Sequence, residues 1–212
     1  MKLYYHPLST YSQKVLIAFH EKGVAFEPQI VHLTDPAARA EYEKLYPLGK
    51  IPSLVRDDGW FIPESTIIIE YLEGHFPQGE RLIPADRDEA RQVRFMDRML
   101  DLYVNESFVK VFFDLRKPEA ERDPKGVAAA KKVLDTMYGY MDRHLAGRTW
   151  LVGETFSMAE CAAAPPLGYL RAVHPFEGRQ NVAAYWSRLE ARPSVARVLE
   201  EARPYLAAMM EP

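Results

Sequence analysis

The first 76 residues alternate short β-prone runs with helix-like segments, and this order restricts the fold more than any other feature. Leu3-Tyr4-Tyr5 is typical of a strand, because aromatic side chains pack well on a pleated surface. The apolar residues at 15–19 then predict a largely buried helix that ends at Gly23. A second strand is predicted over residues 26–33. Its alternation places three apolar residues on one face, namely Phe26, Pro28 and Ile30.

A helix, a hairpin and a further helix complete this part of the chain. Asp35-Pro36 is a helix start, with the aspartate as the cap and the proline at the first helical position. Asp57-Asp58-Gly59 is a hairpin turn, and it joins short strands predicted at 53–56 and 60–62. Another helix then runs up to Phe76. The order βαβαββα predicts a mixed sheet with helices on its faces.

Beyond Phe76 the pattern is only helical. Residues 77–86 are rich in proline, glycine and charge, which indicates a linker between two domains. A long helix begins near Arg87 and carries apolar residues on two faces, so we expect its own domain to cover one face and a second subunit to cover the other. The first face carries Val93, Met96, Leu100 and Tyr103, and the second carries Phe95, Met99 and Leu102.

Charge and cysteine content exclude several classes of function. The formal charge is −3, with 7 basic and 10 acidic residues up to Phe76 and 20 of each beyond it, so neither part has the basic excess of a nucleic-acid or membrane-surface binder. The single cysteine, Cys161, excludes an internal disulfide and a cysteine-based zinc cluster. The six histidines show no i, i+4 pairing, so we predict no metal site. No stretch approaches the roughly 18 apolar residues of a spanning helix, and no leader precedes the first strand. We therefore expect a cytoplasmic protein.

A cluster of hydroxyl groups lies between the first strand and the first helix. Ser9-Thr10-Tyr11-Ser12 follows the break at His6-Pro7-Leu8 and precedes the apolar helical run. A strand that passes through a short polar turn into a helix directs N–H groups and the positive end of the helix dipole at the occupant of the turn. The turn therefore suits an anion or a thiolate. The alternative is that Ser9 or Ser12 serves only as a helix cap.

With this turn and three further motifs, the chain resembles the cytosolic glutathione transferase family over essentially its whole length. The four motifs occur in the same order and spacing as in that family, and they are Ser9–Ser12, Gly49–Leu54, Pro63–Thr66 and Gly153–Glu160. In the last motif, Ser157 and Glu160 have the spacing of a capping box. The resemblance implies an α/β thioredoxin-like domain at residues 1–76, a linker at 77–86 and an all-α domain at 87–212.

The resemblance implies that glutathione is the co-substrate, without a metal. Glutathione carries two carboxylates, an ammonium and a thiol. Ser65, at a helix start, offers donors to the γ-glutamyl carboxylate, and Glu64 supplies a charge for the ammonium. The family likeness makes the Ile51–Pro52 bond cis, so that the Ile51 backbone pairs with the cysteinyl backbone of glutathione, and Lys50 reaches the glycyl carboxylate. An ordinary helix start and a solvated lysine are the alternative interpretations.

The implied catalytic task is to keep the bound thiol ionised near neutral pH. A free thiol has a pKa of about 8.5, and a hydrogen bond to a charged group is worth about 1.5–3 kcal/mol, or about one to two pKa units. One hydroxyl donor and the helix dipole therefore suffice. In the serine-type, theta- and zeta-like members, the donor lies fourteen residues before the glycine that ends the first helix, which corresponds to Ser9. Thr10, Tyr11 and Ser12 remain alternative donors, and we predict that Ser12 is the cap.

A second substrate and a partner are implied as well. The predicted reaction is attack of the glutathione thiolate on a small hydrophobic electrophile held between the domains. The candidate wall of that pocket, with plain helical core as the alternative, consists of Tyr11, Tyr103, Phe108 and Phe112. We expect a homodimer that binds neither nucleic acid nor a membrane. The alternative functions are a non-catalytic glutathione-binding module and a glutathione-dependent peroxidase, reductase or isomerase.

Overall fold

The computed structural model describes residues 1–210, and their order of elements is βαβαββα followed by helices. The N-terminal elements are β1 (Lys2–Tyr5), α1 (Thr10–Lys22), β2 (Glu27–Ile30), α2 (Pro36–Glu43), β3 (Ser53–Val55), β4 (Phe61–Pro63) and α3 (Ser65–His75). The later helices are α4 (Arg87–Met99), α5 (Glu106–Asp114), α6 (Pro124–His144), α7 (Met158–Val173), α8 (Gln180–Glu190) and α9 (Pro193–Met210). A π-helical segment, Leu100–Asn105, connects α4 to α5, and one 3₁₀ turn, Glu119–Glu121, precedes α6.

The four strands form a mixed sheet in the order β2-β1-β3-β4, which confirms the predicted fold class. β1 is parallel to β2 and antiparallel to β3, and β4 is antiparallel to β3. The predicted alternation in β2 does not produce a buried face, since Pro28 is exposed and Ile30 is 41 % exposed. The reason is that β2 is an edge strand, and Val31, just beyond it, is the residue that enters the core.

Helix α1 is fixed against α3 by two buried lysines as well as by apolar packing. Lys14 Nζ donates a hydrogen bond to Thr66 Oγ1 at 3.0 Å, and Lys22 Nζ forms an ion pair with Glu73 Oε2 at 3.1 Å. Both lysine side chains are nearly inaccessible to solvent, so their charges are stabilised by these protein groups and only slightly by water. Gly23 ends α1, as the sequence predicted, and it adopts the left-handed conformation.

The last helix, α9, packs with the N-terminal elements. Residues 1–82 form one compact unit together with the segment from Pro193 onward, and Ile83–Arg192 form a second unit. Within the first unit, α9 packs on α1, and the Tyr5 hydroxyl donates to Glu201 Oε1 at 2.7 Å. The sequence shows that α9 has an apolar face but not which element covers it.

The predicted linker, residues 77–86, contains neither helix nor strand, but its first half is bonded to the first unit. Glu80 N–H donates to the Glu21 carbonyl at 3.1 Å, and Leu82 N–H donates to Glu73 Oε2 at 3.0 Å. The carboxylate of Glu73 therefore receives both the Lys22 ammonium and the linker backbone.

In the second unit, the predicted capping box at the start of α7 is confirmed. Ser157 Oγ accepts from Ala159 N–H, and Glu160 accepts from Ser157 N–H at 2.9 Å. The Glu160 side chain is fully buried, and it also accepts from Leu151 N–H at 2.8 Å and from the Tyr185 hydroxyl at 3.2 Å. Glu160 thus binds α8 and the segment before α7 to the start of α7.

The two predicted apolar faces of the long helix are only partly preserved. Val93, Met96 and Leu100 are buried as expected, but Tyr103 is 45 % exposed. The cause is the π-helical segment, in which Glu106 N–H donates to the Asp101 carbonyl five residues earlier. The wider turn rotates the side chains of this segment away from the line that the buried residues of α4 follow. On the second face Phe95 remains half exposed. None of the helices within residues 1–210 has the length and apolar character needed to cross a bilayer.

Candidate active site

The hydroxyl turn between β1 and α1 is organised by the helix cap. Ser9 is the N-cap of α1, with extended φ and ψ of −74° and 120°, and its Oγ accepts from Ser12 N–H at 3.2 Å. Ser12 is buried, and its Oγ accepts from His6 N–H at 3.3 Å. The prediction that Ser12 is the cap is therefore wrong. The helix already begins at Thr10, before the apolar run, so Ser12 lies in its first turn.

The cap geometry leaves the Ser9 proton available for donation. A hydroxyl has one donor and two acceptor positions, and the cap uses only an acceptor position. The Ser9 side chain is half-buried, whereas Thr10 is buried like Ser12. Tyr11 is half-buried on the first turn of α1. The sequence analysis assigned the helix cap to Ser12 and the thiol hydrogen bond to Ser9. The single hydroxyl of Ser9 can serve in both.

Tyr5 lies on β1 just before the turn, and its hydroxyl is already bonded. It donates to Glu201, and burial followed by that carboxylate raises the pKa of Tyr5 far above its ordinary value. A phenol in this state is a poor donor to a second anion.

The Ile51–Pro52 peptide bond is cis, as the family resemblance implied. Pro52 and Ser53 are buried, Ile51 is half-buried and Lys50 is exposed. The Tyr42 hydroxyl donates to the Lys50 carbonyl at 2.7 Å and lies 2.8 Å from Ser53 Oγ. Burial raises the pKa of Tyr42 to about 12, which keeps this hydroxyl protonated and able to donate. Sequence reasoning missed Tyr42, although an aromatic residue in an otherwise polar helix was a usable signal.

Glu64 has an unusual backbone conformation directly before α3. Its φ is +70°, the one positive φ of a non-glycine residue within residues 1–210. Such a conformation costs about 1–3 kcal/mol and persists where the surroundings enforce it, often at binding sites. The Glu64 side chain does not cap α3, but accepts from the Tyr46 hydroxyl at 3.1 Å. An exposed carboxylate is thereby held beside the N-terminus of α3, where Ser65 is buried. Sequence reasoning also missed Tyr46.

The sheet register brings the three loops of the first unit to one end of the sheet. Ser53, at the start of β3, lies opposite Tyr4 near the end of β1 and opposite Pro63 at the end of β4. The segments that adjoin these positions are the hydroxyl turn, the cis-proline turn and Glu64-Ser65. The structure therefore places Ser9, Lys50 to Pro52, Glu64 and Ser65 in neighbouring loops.

The aromatic candidates of the second unit are divided between core and surface. Phe108 is buried and stacks on Tyr169, with ring centroids 5.3 Å apart, and Phe112 lies 5.1 Å from Phe108. The Arg116 guanidinium lies 3.5 Å from the Phe112 ring centroid. Phe108 and Phe112 thus belong to one cluster, whereas Tyr103 is exposed at the surface. Tyr11, the fourth candidate, lies in the first unit.

No metal-holding group of three or more His, Cys, Asp or Glu side chains occurs in the described part of the chain. The neighbouring loops described above offer hydroxyl groups, backbone N–H groups, one carboxylate and one lysine. This donor set suits a zwitterionic peptide with a thiol more than it suits a metal ion.

Comparison with known proteins gives the same result over nearly the whole chain. Residues 3–80 match the family model described as the glutathione S-transferase N-terminal domain, and residues 124–208 match its C-terminal domain. Glutathione S-transferase hmp2 of Hypomyces subiculosus is 30 % identical, over 96 % of this chain and 99 % of its own. GstA of Escherichia coli O157:H7 is 26 % identical, over 92 % of this chain and 95 % of its own.

Solved structures of similar proteins agree. A glutathione S-transferase of Methylobacillus flagellatus with glutathione bound is 30 % identical with a TM-score of 0.84, covering 93 % of this chain and 98 % of that one. A glutathione S-transferase of Methylobacterium radiotolerans in complex with glutathione sulfonate is 31 % identical with a TM-score of 0.81, covering 93 % of each chain. On the evidence of both family models, these relatives and the shared fold, the chain belongs to the cytosolic glutathione S-transferase family.

Proposed function

We propose that this protein is a serine-type glutathione S-transferase in which the Ser9 hydroxyl holds the glutathione thiol in its ionised form. The observation that carries the proposal is the cap geometry of Ser9. Its Oγ accepts from Ser12 N–H at 3.2 Å, so the cap bond uses an acceptor position of the hydroxyl and does not use its proton. The positive end of the α1 dipole adds to the stabilisation of a thiolate at this position.

The remaining parts of glutathione match the neighbouring loops in charge. The N-terminus of α3, with the Ser65 hydroxyl, suits the γ-glutamyl carboxylate, and the exposed carboxylate of Glu64 suits the α-ammonium. The Ile51 backbone suits pairing with the cysteinyl backbone, and exposed Lys50 suits the glycyl carboxylate. The two similar structures with glutathione or glutathione sulfonate bound support this ligand as the co-substrate.

The chemistry is a nucleophilic attack without a protein-bound intermediate. The thiol releases its proton to solvent, and the thiolate then attacks an electrophilic carbon and forms a carbon–sulfur bond. Either a leaving group departs with its electron pair or an activated double bond accepts a proton. We assign contacts with the small hydrophobic electrophile to Phe112 and Tyr103, which keep exposed ring surface, and a supporting role to buried Phe108.

We also propose that the protein is a homodimer. The first unit exposes the large apolar side chains of Trp60 and Ile67, and the second unit exposes those of Phe95 and Leu102. We infer that these side chains contribute to an apolar surface that another subunit covers, because large exposed apolar patches mark interaction sites. The mass measured by light scattering during size-exclusion chromatography tests this directly, since a monomer of 24.4 kDa contradicts it.

Binding of glutathione and ionisation of its thiol together test the proposed activity. We expect retention on immobilised glutathione, elution by free glutathione, and an ultraviolet thiolate absorbance when glutathione binds near neutral pH. Binding without the thiolate absorbance would support a non-catalytic binding module. No binding at millimolar glutathione would contradict both functions.

A further inference from the structure

His6 makes three hydrogen bonds within the hydroxyl turn, more than the helix cap alone requires. Its N–H donates to Ser12 Oγ at 3.3 Å, and its carbonyl accepts from Ser9 N–H at 2.9 Å. Its side-chain Nδ1 accepts from Leu8 N–H at 3.2 Å. His6, directly after β1, thus contacts the backbone N–H groups of Leu8 and Ser9 and the hydroxyl of Ser12.

We propose that His6 is a positioning residue for Ser9, and that its imidazole Nδ1 fixes the Leu8–Ser9 backbone by accepting the Leu8 N–H. The proposal rests on the proposed function, because it assumes that the placement of the Ser9 hydroxyl sets the ionisation of the thiol. The ring itself does not touch the reacting sulfur. It acts through the backbone on which Ser9 is carried.

The hydrogen-bond direction determines the form of the imidazole. A backbone N–H is always the donor, so Nδ1 must be unprotonated, and the neutral ring carries its proton on Nε2. In a doubly protonated ring, the Nδ1–H group would face the Leu8 N–H group, and the hydrogen bond between them would be lost. Burial, followed by the nearby charge of His32, lowers the pKa of His6 below its ordinary value and thus favours the neutral form.

Two further elements hold the ring in place. The His32 ring, from the segment after β2, and the Tyr205 ring, from α9, each lie 5.3 Å from the His6 ring in edge-to-face geometry. Tyr5 of β1 and Glu201 of α9 are bonded to each other. The C-terminal helix therefore contacts the turn through His6, which is a link that the sequence order alone does not suggest.

The chain permits a sharp test with a matched pair of variants. In His6→Asn the Oδ1 atom takes the place of Nδ1 and can accept the N–H two residues on, as in an Asx-turn, but it cannot be protonated near neutral pH. In His6→Leu the side chain has a similar shape and no acceptor. The readout is the apparent pKa of bound glutathione, taken from the thiolate absorbance as a function of pH, together with kcat and the affinity for glutathione.

We expect His6→Asn to match the native protein in thiol pKa and kcat at pH 7. We expect His6→Leu to lower kcat about fivefold, the effect of about one lost neutral hydrogen bond, with a raised thiol pKa and nearly unchanged glutathione affinity. Equal behaviour of the two variants would overturn the proposal. So would a loss of glutathione affinity in His6→Leu without a change in the thiol pKa.

A measurement on the native protein keeps the proposal testable if His6→Leu does not fold. The ¹⁵N chemical shifts of the His6 ring should show an unprotonated Nδ1 and a protonated Nε2 at pH 7, and a protonated Nδ1 would overturn the proposal. A parallel Ser9→Ala variant separates the claim that Ser9 is the donor from the claim that His6 positions the turn. An unchanged thiolate absorbance in Ser9→Ala contradicts the proposed donor, while the contrast between His6→Asn and His6→Leu still decides the role of His6 in the turn.

Discussion

Replacing Ser9 by alanine removes the proposed thiolate donor, and the structure allows the size of the effect to be stated. A hydrogen bond to a charged group contributes about 1.5–3 kcal/mol, so its loss should raise the pKa of bound glutathione by about one to two units. At a pH below the thiol pKa of both proteins, the thiolate fraction should be about 10- to 100-fold lower in Ser9→Ala, and kcat should fall with it. Glutathione affinity at low pH, where the thiol is protonated in both proteins, should change little.

Ser9→Ala also removes the cap acceptor of Ser12 N–H, which should lower the free energy of unfolding by about 1 kcal/mol. Two control variants separate the cap from the catalysis. Ser9→Gly removes the donor, but glycine at an N-cap costs only a few tenths of a kcal/mol relative to serine, as a rough guide. Ser9→Thr keeps both the acceptor and the donor.

The assay is a pH titration of the thiolate absorbance of the glutathione complex, combined with urea unfolding of each variant. We expect the thiol pKa to rise equally in Ser9→Ala and Ser9→Gly, and stability to fall mainly in Ser9→Ala. If the thiol pKa follows stability across the three variants, the effect belongs to the cap and the reasoning fails. A raised thiol pKa in Ser12→Ala, with none in Ser9→Ala, would transfer the donor role to Ser12.

Three further predictions concern the ammonium site, a buried ion pair and pH. Glu64→Gln keeps the acceptor for Tyr46 but loses the negative charge, so the Kd for glutathione measured by calorimetry should rise about tenfold, while kcat at saturation stays unchanged. An unchanged Kd would contradict the assignment of Glu64 to the ammonium. Lys22→Met leaves the carboxylate of Glu73, whose side chain is only 15 % exposed, without its cation, so the free energy of unfolding measured in urea should fall by about 3 kcal/mol. A fall of less than about 1 kcal/mol would show that stability does not depend on this ion pair. Burial lowers the folded-state pKa of His6, so its contribution to stability is complete above pH 6.5 and is lost as pH falls through the folded pKa. Because burial also lowers the pKa of His20, urea unfolding between pH 7 and 5 should show a loss in both proteins that is larger in the native protein than in His6→Asn, and parallel curves would contradict it.

Local signals in the sequence were sufficient for the order of elements and for several caps. Asp35 caps α2 by accepting from Ala37 and Ala38 N–H, as the Asp-Pro pair predicted. Helix and strand periods, turn residues and caps act over a few neighbours, so they can be predicted without the tertiary structure. The cap of α1 is the exception. Four consecutive hydroxyl residues offered several starts, and the apolar run placed the start too late.

The features that the sequence did not predict depend on distant contacts. The positive φ of Glu64 has no local signature, because glutamate is not a residue that favours this conformation. Tyr42 and Tyr46 act on loops that follow them in the chain, and α9 contacts the opening strand through Glu201. The motifs of the site were predictable because their loops recur together in one family. The tyrosines that support these loops were missed because no motif includes them.

A crystal structure of the protein with glutathione bound tests the central claim most directly. The measurement is the distance from the glutathione sulfur to each hydroxyl oxygen of Ser9, Thr10, Tyr11 and Ser12. We predict that Ser9 Oγ lies within hydrogen-bond distance of the sulfur while still accepting from Ser12 N–H. A sulfur bonded to one of the other three hydroxyls, or to none of them, would contradict the account.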